Sequence, residues 1–241
     1  MTHEEHLDTI KYCVDKVAKR IPVVAGTGSN CTDTAVYLSQ EAEKYGVDGI
    51  LLVSPYYNKA TQKGLYRHFK TVADSVKVPA ILYNVPSRTG CNLLPDTVAV
   101  LAKHPNVAAI KEASGNMGQV VELAAKCGDD IAIYSGEDGI TLPILSMGGQ
   151  GCISVASNVV PRTMVSLADT FFRGDVAEAA RMQRELWPLI HLLFCEVNPI
   201  PAKAAVSAMG YGQEHIRLPL TPMEDAHRAA LYAEMKKLGV L

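Results

Sequence analysis

Three side chains in two neighbouring apolar runs could do carbonyl chemistry. Lys111 closes the run VAAIK. A lysine behind such a run should be partly desolvated, which disfavours its ammonium form and leaves a nucleophilic amine. An amine of that kind condenses with a ketone to give a Schiff base. Tyr83 and Arg88 lie one run earlier, in ILYNVPSRTG. A phenol near the amine can relay protons at a carbinolamine and an imine. A guanidinium fork suits a carboxylate. Each also has an ordinary explanation: a strand-end lysine in solvent, a core tyrosine, a surface arginine. Tyr57, in SPYYNK, is a third phenol, although neighbouring tyrosines often only pack. Gly136 and Glu137 in YSGED, and Ile153 in GCISVAS, would bring backbone groups to the same place, or be a tight turn and a core residue.

The elements that must position these residues show in the hydropathy pattern. PVVAGTG (22–28), GILLVSP (49–55), PAILYNVP (79–86), VAAIKEAS (107–114), IAIYSGED (131–138) and GCISVASN (151–158) are short and apolar on both faces. That is how strands of a buried parallel sheet read. Between them, TDTAVYLSQEAEKYG, TQKGLYRHFKTVADSV, LPDTVAVLAKH and NMGQVVELAAKC carry apolar residues at helical spacing. Strand, helix, strand in repetition means parallel strands with right-handed crossovers. Thr27, Tyr56, Tyr57, Tyr83, Lys111, Glu137 and Ser154 gather at the C-terminal ends of the runs, the face on which a (β/α)8 barrel builds its site. A doubly wound sheet would want G-x-G-x-x-G, and AGTGSN is a weak imitation of it. Beyond residue 160 the pattern is helical, so residues 1–160 are expected to form a partial (β/α) barrel and 161–241 a helical extension packed on it.

Bulk properties narrow the class. The chain has 241 residues, enough for one sizeable core, and a net charge of -2, which favours neither nucleic acid nor an acidic membrane surface. Six cysteines without a C-x-x-C pair suggest reduced, mostly buried thiols in a cytoplasmic protein, not a disulfide frame or a zinc site. The polar start MTHEEHLDTI is no signal peptide, and no apolar run approaches the ~20 residues of a membrane helix.

SPYYNK, YNVPSRTG, AIKEASGN, YSGED and GCISVASN, in this order, resemble the bacterial dihydrodipicolinate synthase family from near Met1 to the closing LGVL. The resemblance implies a TIM-barrel lyase of lysine and diaminopimelate biosynthesis, working without metal or organic cofactor. Lys111 would form an imine with pyruvate, and Tyr83 would move protons there. Arg88 would hold the carboxylate of aspartate semialdehyde. Tyr57 would reach a neighbouring subunit's site in a homo-oligomer, commonly a tetramer. Ile153 would offer a backbone carbonyl and Gly136 a close backbone approach. A lysine effector site would involve His3, His6, Asn30 and Tyr56. Thr34 stands where the family commonly has an acid, and threonine cannot pair with an ammonium, which weakens the expectation of feedback inhibition. The resemblance also implies that the family's first strand, first helix and second strand precede the point where Met1 falls. Open edges near residues 23 and 153, abnormal association and weak activity are then expected. Another pyruvate-dependent aldolase, such as an N-acetylneuraminate lyase relative, and an impaired paralogue acting as an assembly partner stand as alternatives.

Overall fold

The computed structural model describes residues 1–241. They divide into two compact units, Met1–Gly136 with Met147–Gln150, and Glu137–Ser146 with Gly151–Leu241. The six strands follow one another in the order β1-β2-β3-β4-β5-β6, an α/β fold built on a parallel sheet.

The first unit holds α1 (His3–Val17), β1 (Val24–Gly26), α2 (Thr32–Lys44), β2 (Gly49–Val53), α3 (Gln62–Asp74) and β3 (Ala80–Asn84). It continues with α4 (Pro86–Thr89), α5 (Pro95–Leu101), β4 (Val107–Glu112), α6 (Met117–Cys127) and β5 (Ala132–Ser135). Local chemistry sets several helix starts. Thr2 and Glu5 form a reciprocal capping box, Thr61 accepts from the Gly64 N–H, and Asn116 accepts from the Gln119 N–H. Each such cap stabilises its helix by about 1 kcal/mol.

Register decides which side chains share a face. Leu52, Leu82, Ile110 and Ile133 are partners across β2 to β5 and all are buried. One residue further on, Val53, Tyr83, Lys111 and Tyr134 make a second row on the opposite face, all half-buried. Side chains alternate across a strand, so this second row is a separate, roomier surface. The helices pack on one another in series, α1 on α2, α2 on α3, α3 on α5 and α5 on α6.

The second unit contains a 3-10 turn (Asp138–Ile140), α7 (Thr141–Ser146), β6 (Gly151–Cys152), a second 3-10 turn (Ala156–Asn158), α8 (Pro161–Phe172), α9 (Val176–Leu192), α10 (Ile200–Ala208) and α11 (Asp225–Lys237). Its core includes Leu167, Leu186, Leu189, Leu193, Leu231 and Met235. Two expectations need correction here. GCISVASN is a strand only at Gly151–Cys152, because the buried Asp138 carboxylate takes the Val155 and Ala156 N–H groups, each at 2.9 Å, and turns the backbone. The compact units part at Gly136/Glu137, not at 160/161, because α7 packs on α8 and α9, and the turn at Ala156–Asn158 on α8.

All six cysteines are free thiols, but Cys13 and Cys31 are exposed, against the expectation of mostly buried ones. No helix is long and apolar enough to cross a membrane.

His68, on α3, is buried, and its Nδ1 shares a 2.9 Å hydrogen bond with Thr32 Oγ1. Burial holds its pKa below the usual histidine value. The folded chain therefore takes up this proton less readily than the unfolded chain. The stability that follows is complete above about pH 6.5 and is lost as pH falls below it. Urea midpoints measured from about pH 7 down to about pH 5 should fall, and His68→Gln should flatten that fall. An unchanged slope in the variant would assign the effect to other groups.

Candidate active site

The β3–β4 register sets Tyr83 directly beside Lys111. Lys111 Nζ stands 4.2 Å from the centroid of the Tyr83 ring. The electron-rich face of a phenol attracts an ammonium by about 0.5–2 kcal/mol, more as water is excluded. Tyr83 is half-buried. Burial raises its pKa, and the Arg88 charge partly opposes that rise. The phenol is thus a proton-bearing group at neutral pH, next to an amine. Ser54, at the end of β2, donates to the Tyr83 carbonyl through its N–H at 2.9 Å and its hydroxyl at 3.2 Å, fixing the backbone under the ring.

Gly136 closes on the same lysine from β5. Its N–H donates to the Glu112 carbonyl at 2.8 Å. A Cβ here would sit 2.8 Å from Ala113 Cβ and 2.9 Å from Lys111 Cγ. The lysine stem therefore lies against bare backbone. Arg88 is exposed on α4, a single turn begun by Pro86, and its guanidinium is available to an incoming anion.

The remaining residues singled out in the sequence are placed as follows. Tyr57 is 88% exposed with φ +75°, in the left-handed region, its N–H donating to the Thr89 carbonyl at 3.0 Å. Ile153 follows β6 and belongs to the second unit. His3 and His6 are on α1, where the His3 ring is 6.5 Å from that of Tyr37 and His6 Nε2 donates to the Gly26 carbonyl at 2.8 Å. The Asn30 carbonyl accepts from Asn58 Nδ2 at 3.0 Å, and the Tyr56 carbonyl accepts from the Asn58 N–H at 3.0 Å. Thr34 lies in the first turn of α2, whose N-cap is Cys31. Thr27 is fully buried and bonded to Ser39 Oγ at 2.8 Å, a packing role. No group of three or more His, Cys, Asp or Glu is placed to hold a metal ion.

Sequence reasoning missed the polar network behind the pair. Glu112 is 1% exposed and Asn84 fully buried, on the face opposite Lys111 and Tyr83. Asn84 Nδ2 donates to Glu112 Oε2 at 3.1 Å and to Asn92 Oδ1 at 2.9 Å. Asn92 and Gln119 then pair through both amides. The available signal was a carboxylate inside an apolar run, immediately after the lysine.

A family model described as the dihydrodipicolinate synthetase family matches residues 1–238. A 4-hydroxy-tetrahydrodipicolinate synthase of Lachnoclostridium phytofermentans is 52% identical over 242 residues, covering 100% of this chain and 82% of that protein. The crystal structure of dihydrodipicolinate synthase from Aquifex aeolicus has a TM-score of 0.97 at 43% identity, covering 100% of this chain and 82% of that one. The chloride-inhibited dihydrodipicolinate synthase of Acinetobacter baumannii, complexed with pyruvate, has a TM-score of 0.97 at 41% identity, covering 100% of this chain and 83% of that one.

Gly136→Ala should move Lys111 off the Tyr83 ring. The expected outcome is a folded protein whose rate of Schiff-base formation with a small 2-keto acid drops up to ~100-fold, the scale of a misplacement of about 1 Å. Gly64→Ala, where a Cβ meets only ordinary contacts, should leave that rate unchanged.

Proposed function

Because the chain belongs to the dihydrodipicolinate synthetase family, we propose that it condenses pyruvate with aspartate 4-semialdehyde to 4-hydroxy-tetrahydrodipicolinate, at the entry to the diaminopimelate route to lysine. It is a lyase of the class I aldolase type. The observation that carries the reading is the Lys111 amine held 4.2 Å over the ring of a half-buried, protonated phenol.

In this reading the Lys111 amine attacks the pyruvate carbonyl carbon, and the carbonyl electron pair moves to oxygen. Tyr83 supplies the proton with which that oxygen leaves as water, giving the imine. Loss of a methyl proton gives an enamine, whose carbon bonds to the aldehyde carbon while the aldehyde oxygen gains a proton. The amino group of the former semialdehyde then attacks the imine carbon, closes the ring and releases Lys111. Arg88 binds the semialdehyde carboxylate from its exposed position. Gly136 lines the lysine with bare backbone. Tyr57 serves a neighbouring copy's site in a homo-oligomer. The scheme requires no metal or organic cofactor.

The same reading takes the six strands as six positions of a TIM-type barrel. It takes His3, His6, Asn30 and Tyr56 as a lysine effector site in which Thr34 offers no carboxylate. Neither the N-acetylneuraminate lyase reading nor that of an impaired assembly partner draws support from the comparisons.

Pyruvate and borohydride should add mass to the chain at Lys111, with no adduct in Lys111→Arg. Arg88→Ala should keep that adduct but raise the KM for the semialdehyde roughly 10- to 100-fold, the loss of one charge-assisted contact of about 1.5–3 kcal/mol. A parent chain without adduct, or an Arg88→Ala chain with unchanged semialdehyde kinetics, would refute the assignment.

A further inference from the structure

We propose that Asn84 and Glu112 form a buried clamp that sets the spacing of Tyr83 and Lys111, so that Asn84 and Glu112 are positioning residues. The inference rests on the reading of Lys111 as the imine-forming amine. Asn84↔Glu112 is the register pair immediately after Tyr83↔Lys111. Alternation puts the reacting pair on one face and the clamp on the other. The clamp lies where the ladder runs out: the Ala113 N–H still reaches the Asn84 carbonyl at 2.9 Å, and beyond it only side chains join β3 to β4.

Every polar atom of the clamp has a partner. Glu112 Oε2 accepts from Asn84 Nδ2 at 3.1 Å, and Glu112 Oε1 accepts from the Ser114 N–H at 2.7 Å. Asn84 Oδ1 accepts from the Leu93 N–H at 2.9 Å, and its second amide hydrogen goes to Asn92 Oδ1. The clamp thus holds β3, the turn after β4 and the start of the segment leading to α5. Through its own carbonyl, Glu112 also carries the Gly136 N–H. One residue therefore ties together the Asn84 side chain, the turn at Ser114 and the Gly136 backbone that lies against the Lys111 stem. Removing a partner from so buried a network leaves a donor or acceptor unsatisfied, and the strand ends shift to relieve it.

The pair has a reciprocal form. Asn84→Asp alone sets two carboxylates against each other. Glu112→Gln alone cannot accept at both oxygens. Together they restore the contact with donor and acceptor exchanged. The new amide at position 112 can donate to the new carboxylate at position 84 while its oxygen still accepts from the Ser114 N–H. The Asn92 and Gln119 amides can turn over in concert to match.

The test measures borohydride-trapped imine formation with pyruvate across increasing concentrations, with a thermal melt on each variant. Each single variant should melt cooperatively and lose about 10- to 100-fold in the maximal rate, with the pyruvate concentration at half-rate little changed. The Asn84→Asp/Glu112→Gln chain should recover to within about threefold of the parent, the coupling expected of contacting groups. Full-rate single variants overturn the proposal, as does a folded double variant with no recovery. A single variant that fails to fold leaves the double to decide. A parent chain that traps no pyruvate refutes the function reading instead. The clamp is then judged on the labelling rate of Lys111 by trinitrobenzenesulfonate, which should shift in the singles, return in the double, and overturn the clamp if it is the same in all four chains.

Discussion

One contact organises this molecule: the Lys111 amine above the Tyr83 ring, 4.2 Å from its centroid. Neither side chain could hold the other there alone. A lysine has four rotatable bonds and a free ammonium prefers water, so a contact worth about a kilocalorie per mole persists only where backbone has removed the alternatives. Strand register does most of that, and the bare Gly136 wall does the rest. The helices on the far side of the first unit's sheet are in this sense a frame for one amine.

The two faces of that sheet do different work. Leu52, Leu82, Ile110 and Ile133 are sealed, and their burial supplies stability. At roughly 1.5–3 kcal/mol for each such side chain, this row alone outweighs any single polar contact on the other face. Residues of the Tyr83 row are half-buried, which suits a surface that must admit a reactant. At the strand ends the apolar row gives way to Asn84, Glu112 and Ser135, all buried. Polar groups replace hydrocarbon there because the backbone ladder ends and its last donors and acceptors still need partners.

Much of this was legible in the residues. Short apolar runs gave strands β1 to β5, since no helix fits so few residues and each run ended in turn chemistry. Tyr83 and Lys111 stood out because both stand at the C-terminal ends of such runs, where a parallel sheet presents its chemistry. The limits were equally physical. GCISVASN has strand composition, but the Asp138 carboxylate competes for its N–H groups from a distant position in the chain. Glu112 and Asn84 looked like the polar ends of strands; only the register shows that they face each other away from solvent. The division of the chain followed packing of α7, which no local pattern announces.

The Gly136 wall has a consequence for what the first unit can accommodate. The lysine stem runs so close to the Gly136 backbone that a side chain there would meet its Cγ and Cε, while its amine stands over the phenol ring. Lys111→Ala would remove Cγ, Cδ, Cε and the amine together, so it would take away both the group beside the glycine backbone and the charge over the ring.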